Sequence, residues 1–147
     1  MNIIEFKGEK YPEIYYKPII LSDIEDCLVY DITSTTSNYS DEFINSTFTS
    51  IFNKYPELKR KLIRFKNISN RDTPNFSDGI IEIGSIFEYS NVIASCKVFI
   101  TLLSGGSALA SAIKKDNEYP KIYTFHHTLL DNKALMYTFD NIIFGTM

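Results

Sequence analysis

Val98-Phe-Ile-Thr-Leu-Leu-Ser-Gly-Gly-Ser-Ala-Leu-Ala-Ser-Ala-Ile-Lys-Lys115 is the stretch that decides the fold of this chain. Its first six residues are apolar or β-branched, a pattern typical of a strand that is covered on both faces. Two glycines then remove side chains at a tight turn. The small and apolar residues that follow recur at helical spacing. The stretch therefore predicts a buried strand, a turn, and a helix packed against that strand.

The turn Ser104-Gly105-Gly106-Ser107 has the composition of an anion site. Backbone N–H groups at a helix N-terminus face outward, and phosphate is the anion that most often binds there. The chain contains neither Gly-x-Gly-x-x-Gly nor the Walker-type Gly-Lys-Ser/Thr, so the turn is not a complete nucleotide fingerprint. Phosphate or diphosphate binding and a simple reversal of the chain both remain open.

Composition limits the classes of protein that fit. A chain of 147 residues, 44% of them hydrophobic, is expected to form a single globular domain over residues 1–147. A net charge of −3 gives no general electrostatic case for nucleic acid as a partner. Cys27 and Cys96 lie in apolar surroundings and are predicted to be core residues. No apolar run approaches the ~20 residues that span a bilayer, and no signal peptide is visible, so a cytoplasmic protein without a transmembrane segment is expected.

Strand-like and helix-like segments alternate along the rest of the chain. This order indicates an α/β fold, a three-layer Rossmann-like domain with a mostly parallel sheet and helices on both faces. The predicted strands are Ile14–Leu21 in part, Cys27–Ile32, Ile80–Ile83, Val98–Leu103, Lys121–Phe125 and Asn141–Phe144. The predicted helices begin at an N-cap at Ser40, at Pro56, at the capping box Ser85–Glu88 and after Ser104, with a short helix over Leu129–Tyr137.

Ligands of such sheets bind at the carboxyl ends of the strands. Three loops follow strands here: Thr33–Asn38, Gly84-Ser85 with Glu82 before it, and Ser104–Ser107. Hydroxyls, glycine amides and a helix N-terminus together favour a phosphorylated ligand. The candidate residues for binding such a ligand are Ser104, Gly105, Gly106, Ser107, Glu82, Thr35 and Thr36. His126 and His127 follow a strand that ends at the same edge, but neither a metal site nor a catalytic residue is predicted.

The run from Ser90 to Ile113, SNVIASCKVFITLLSGGSALASAI, resembles the C-terminal, donor-binding half of GT-B glycosyltransferases. Heptosyltransferase-like and capsule-type sugar transferases carry a similar pattern, in which the turn and the next helix hold the diphosphate of a nucleotide-sugar. The matching residues are Ala94, Phe99, Ile100, Ser104, Gly105, Leu109, Ala110 and Ala112. The resemblance implies that the amides of Gly105, Gly106 and Ser107 bind the diphosphate. It implies no metal and no cofactor, with the nucleotide-sugar as the substrate.

The chain departs from that pattern in two ways. Gly106 and Ala108 stand where heptosyltransferase-like proteins usually have Pro and His. A GT-B enzyme has two Rossmann-like domains, and this chain has room for one. The resemblance therefore implies the donor half of a sugar transferase of polysaccharide biosynthesis, which needs a partner domain or a homodimer for catalysis.

Two alternatives from other classes remain open. Small nucleoside deoxyribosyltransferase-like enzymes have about this length and also carry a glycine-bearing loop after a similar strand. They need a carboxylate nucleophile near that loop, whereas Asp116 lies beyond the following helix, and Glu82 and Glu88 precede the strand. The other alternative is a non-enzymatic Rossmann-like module for assembly or regulation. A serine hydrolase is disfavoured because Gly-x-Ser-x-Gly is absent.

Overall fold

Strands and helices alternate along the chain. The structure is a computed structural model, and it describes residues 12–33, 39–66, 77–102, 104–126 and 139–146. The strands are β1 (Cys27–Asp31), β2 (Lys59–Phe65), β3 (Ile80–Ile83), β4 (Val98–Leu102), β5 (Lys121–His126) and β6 (Ile143–Thr146). The helices are α1 (Asp41–Phe52), α2 (Ile86–Ser95) and α3 (Gly105–Lys114), and a short 3-10 turn spans Ser22–Ile24.

All these strands belong to one parallel sheet in the order β3-β2-β1-β4-β5-β6. The central strands are β1 and β4, with Leu28 opposite Val98 and Asp31 opposite Thr101. From β1, the next strands β2 and β3 are added on one side of the sheet, and from β4, the strands β5 and β6 are added on the other side. The gap between the carboxyl ends of β1 and β4 is therefore the topological switch point at which such sheets bind ligands. The predicted α/β Rossmann-like fold is confirmed.

Helices cover both faces of the sheet, and alternate residues of each strand point to opposite faces. Leu28 and Tyr30 of β1 belong to the core that the sheet forms with α1. Val29 of β1 belongs to the core on the side of α2 and α3. Every residue of β4 is buried, because β4 lies at the centre between the two helical layers. The continuous apolar character of this strand, which the sequence showed, is a result of that position.

Serine side chains begin the helices where the sequence predicted. The Ser40 hydroxyl accepts a hydrogen bond from the Phe43 N–H at 3.1 Å at the start of α1. The Ser85 hydroxyl accepts from the Glu88 N–H at 3.1 Å at the start of α2. The Glu88 carboxylate in turn accepts from the Gly84 N–H, one residue before the cap. Each cap satisfies a backbone donor that has no partner within its helix.

Three predicted elements differ from the structure. The helix predicted to begin at Pro56 is wrong, because residues 59–65 form β2 and pair with both β1 and β3. The β-rich segment Ile14–Leu21 forms no strand. It lies extended along α2, where the Asn91 side chain accepts from Tyr16 at 2.9 Å and the Ser95 hydroxyl accepts from the Leu21 N–H at 2.7 Å. The last strand begins at Ile143, two residues later than predicted.

The short helix predicted over Leu129–Tyr137 lies outside the described residues. Within the part of the chain that the structure describes, no helix has the length and apolar character needed to span a bilayer.

Candidate functional site

A cleft lies at the switch point between β1 and β4, where the first turn of α3 faces the end of β1. Its volume is about 150 Å³. Asp31 and Thr33 line it from the end of β1, Phe65 from β2, Tyr89 from α2, and residues 104–106 from the start of α3. Side chains from the ends of two strands and from one helix thus meet the predicted anion-binding turn in one place.

The N-terminus of α3 is capped by its own serines. The Ser104 hydroxyl accepts a hydrogen bond from the Gly106 N–H at 3.2 Å. The Ser107 hydroxyl donates to the Ser104 carbonyl at 2.6 Å, and the Ser107 N–H donates to the same carbonyl at 3.1 Å. The amides of Gly106 and Ser107 are therefore already bonded within the protein. Within the described residues, no acceptor is bonded to the amide of Gly105, which is the first residue of the helix.

Glycine occupies the two positions of the turn for different reasons, and neither glycine has a positive φ angle. A Cβ on Gly106 would lie 2.5 Å from the Tyr89 hydroxyl oxygen, so packing against Tyr89 requires glycine there. Among the described residues, no atom lies within 4 Å of a Cβ placed on Gly105. Neither packing nor backbone conformation accounts for glycine at position 105. Its missing side chain keeps the backbone of α3 open to the cleft.

A buried carboxylate lies beside this backbone. The Tyr89 hydroxyl donates to Asp31 Oδ2 at 2.6 Å, and the Thr33 N–H donates to Asp31 Oδ1 at 2.7 Å. Only 3% of Asp31 and 6% of Tyr89 is exposed. Burial raises the pKa of Asp31, although the hydrogen bonds from Tyr89 and Thr33 partly oppose this shift. Burial and the nearby Asp31 carboxylate raise the pKa of Tyr89.

A second, larger cleft adjoins the first. Its volume is about 350 Å³, and Phe65 and Tyr89 line both clefts, so the two share part of a wall. Ile83 and Ile86 give the second cleft an apolar wall, and Lys66 supplies a cation. Its remaining lining residues are Gly84 and Ser85, at the start of α2. Clefts of about 300 to 1,000 Å³ that are mostly apolar with a few polar groups are typical of small-molecule sites.

The structure brings together some of the predicted site residues and separates others. Ser104, Gly105 and Gly106 line the first cleft, whereas Ser107 is buried and its hydroxyl belongs to the helix cap. Glu82 is exposed on β3 and lines neither of these clefts. The predictions that remain, at Thr35, Thr36 and His127, lie outside the described residues, as does the side chain of His126.

Sequence reasoning missed Asp31 and Tyr89. Asp31 ends a strand that was predicted correctly, immediately before a polar loop, and this position at the carboxyl end of a buried strand was an available signal. By its spacing, Tyr89 belongs with the apolar residues of α2, a pattern that indicates a core side chain and not a site residue. Its contact with Asp31 joins residues 58 positions apart, which no local pattern shows.

The described residues contain no group of three or more His, Cys, Asp or Glu side chains that could hold a metal ion. Comparisons of the chain with protein-family models, with curated proteins and with solved structures give no significant match.

Proposed function

We propose that this domain binds a nucleotide-sugar or a nucleotide and serves as the donor-binding half of a glycosyltransferase-like protein of polysaccharide biosynthesis. The observation that carries the proposal is the open backbone of Gly105 at the switch point, beside a larger apolar cleft. A helix N-terminus attracts phosphate through its free N–H groups and its dipole. The apolar cleft suits a nucleobase and its ribose.

Each of the two clefts takes a different part of the ligand. The diphosphate lies at the start of α3, where it accepts a hydrogen bond from the Gly105 amide. The base occupies the larger cleft between Phe65, Ile83 and Ile86, and Lys66 adds positive charge at its rim. The Ser104 hydroxyl, which now caps the Gly106 amide, can rotate to release that amide to the phosphate. Binding then replaces one hydrogen bond of the cap with one to the ligand.

The chemistry that this arrangement supplies is stabilisation of a leaving diphosphate. Negative charge grows on the diphosphate as the glycosidic bond breaks, and the N-terminus of α3 lies where it opposes that charge. The sugar acceptor and the catalytic base would come from a partner domain or a second copy of the chain. The isolated domain is therefore expected to bind the donor without transferring its sugar.

The first experiment is an NMR titration of isotope-labelled protein with UDP, GDP, ADP, CMP and inorganic phosphate. Binding should shift the amide signal of Gly105, and one base should be preferred. Gly105→Val puts a side chain into open space in the cleft, so it should abolish the shift without unfolding the protein. Thr49→Ala is the matched control, because Thr49 is exposed on α1, on the other face of the sheet. The proposal fails if no nucleotide at millimolar concentration shifts the Gly105 signal.

Asp31 favours a second candidate, a nucleoside deoxyribosyltransferase-like activity. That chemistry needs a carboxylate near the glycine-bearing loop, and Asp31 lines the same cleft as Gly105. The carboxylate would displace the base from C1′ of a deoxynucleoside, and a second base would then displace the carboxylate. Incubation with a deoxynucleoside and a different free base tests this activity. Exchange that Asp31→Asn abolishes would favour the enzyme. The absence of both exchange and nucleotide binding would leave the assembly or regulatory module.

A further inference from the structure

We infer that Asp31 determines the specificity of the switch-point cleft, by accepting a hydrogen bond from a hydroxyl of a phosphorylated sugar. The cleft would then take a sugar phosphate unit in preference to a bare phosphate or pyrophosphate. This inference rests on the proposed function and names the part of the ligand that the smaller cleft recognises.

The carboxylate is held rigidly with acceptor capacity to spare. The carboxylate of Asp31 accepts hydrogen bonds from the Tyr89 hydroxyl and from the N–H and the side chain of Thr33, and a carboxylate has about four acceptor positions. The Tyr89 ring packs between Phe65 and Phe99, at centroid distances of 5.2 and 6.1 Å. Asp31 is thus fixed at the wall of the cleft, where a ligand hydroxyl can reach a remaining lone pair.

The negative charge of Asp31 makes the cleft favour a sugar phosphate over a bare phosphate. Among the described residues, no Lys or Arg lines the first cleft, so no cation there balances an ionised Asp31. Tyr89 is the other titratable group in the described lining, and Lys66 lines the adjoining cleft instead. A bare phosphate in a space of about 150 Å³ would lie close to a second negative charge in a poorly solvated place. A sugar hydroxyl between the two groups donates to the carboxylate and separates the charges.

A purely structural role for Asp31 makes a different prediction. If the carboxylate only anchors Tyr89, its removal changes stability but leaves the relative affinities of different anions unchanged. Relative affinity is therefore the informative measurement, because it divides out any general weakening of the fold.

The experiment compares binding of a hexose 1-phosphate, ribose 5-phosphate and inorganic pyrophosphate, followed by the Gly105 amide signal. The native chain should bind at least one of the sugar phosphates about tenfold or more tightly than pyrophosphate, as expected for a hydrogen bond to a charged acceptor. Asp31→Asn should bring the affinities to within about threefold of each other. Asp23→Asn removes an exposed carboxylate near the other end of β1 and should leave the preference intact.

Tyr89→Phe provides a second variant in case Asp31→Asn fails to fold. It keeps the ring and the carboxylate, so the preference for the sugar phosphate should persist. An unchanged preference in a folded Asp31→Asn protein would overturn the inference while leaving the proposed function intact. If Asp31→Asn does not fold, a native chain that binds pyrophosphate as tightly as the sugar phosphates would overturn it. If none of these ligands moves the Gly105 signal but nucleotides do, the inference fails alone. If nucleotides also fail, the proposed function fails with it.

Discussion

Replacing Gly106 with alanine tests the packing at the centre of the candidate site. The added Cβ would lie 2.5 Å from the Tyr89 hydroxyl oxygen, 3.3 Å from Ser104 Oγ and 3.4 Å from Thr101 Oγ1. Ordinary contact begins near 3.4 Å, so the Tyr89 hydroxyl must withdraw by about 0.9 Å. The ring cannot simply swing away, because it is buried between Phe65 and Phe99.

Withdrawal of that hydroxyl lengthens its 2.6 Å hydrogen bond to Asp31. Weakening a buried hydrogen bond to a carboxylate costs about 1.5–3 kcal/mol. Alanine in a helix gains up to about 1 kcal/mol over glycine, which offsets part of that cost. We therefore expect Gly106→Ala to lower the free energy of unfolding by about 0.5–2 kcal/mol. In a domain of this size, each 1 kcal/mol lowers Tm by about 2–4 °C.

Gly105→Ala is the matched control, since its Cβ would enter open space. It should be neutral or stabilising by up to about 1 kcal/mol, because it gains helix propensity without a clash. Urea unfolding of both variants, followed by circular dichroism, measures the difference. Equal stability of Gly106→Ala and Gly105→Ala would refute the argument that Gly106 exists to accommodate Tyr89.

Three further predictions follow from caps, burial and charge. Ser104→Ala and Ser40→Ala each remove an N-cap, so each should lower the free energy of unfolding in urea by about 1 kcal/mol. Only Ser104→Ala should tighten pyrophosphate binding in the NMR titration, because it frees the Gly106 amide. Equal pyrophosphate affinity of the two variants would contradict an anion site at the start of α3. The pKa of Asp31 is raised in the folded state, so its neutral form contributes stability that is fully present below the unfolded pKa of about 3.9 and is lost as pH rises through the raised value. In thermal unfolding, Asp31→Asn should therefore gain stability relative to the native chain as the pH goes from acidic to neutral. A difference in stability that stays constant with pH would contradict this. Burial also raises the pKa of the Cys27 and Cys96 thiols, so a chromogenic thiol reagent should label neither quickly until denaturant is added; rapid labelling of the folded protein would contradict their burial.

Local patterns predicted the centre of this fold well. The strand β4 and the helix α3 follow from an apolar run, a glycine turn and small residues at helical spacing. The serine caps of α1 and α2 follow from hydrogen bonds that span only three residues. In each case the physical cause lies within a few positions of its effect, so the sequence shows it directly.

The strand β2 was predicted wrongly because its residues suit a helix locally. Leu58, Leu62 and Phe65 recur at near-helical spacing, and the charged residues between them have high helix propensity. In the sheet, only the adjacent Leu62 and Ile63 of this strand are buried, so it lacks the alternation that identifies strands. Pairing with β1 and β3 on its two sides outweighs the local preference.

The candidate site was predicted in part for the same reason. The turn before α3 is a local feature and could be identified. The pairing of Asp31 with Tyr89, and the cap that occupies the Gly106 amide, depend on how distant elements pack. A sequence can indicate that a carboxylate ends a strand, but not that a tyrosine from a helix more than 50 positions away fixes it in place.

The central pair of strands also has a consequence for how the chain acquires its structure. Leu28 lies opposite Val98, 70 positions further along. During synthesis, β1 emerges long before its partner, and one of its edges stays unpaired until β4 arrives. Contacts of such long range slow folding and leave apolar edges exposed to association. A ligand that bridges the ends of β1 and β4 would clamp this late-formed pair, and should slow unfolding more than it accelerates folding.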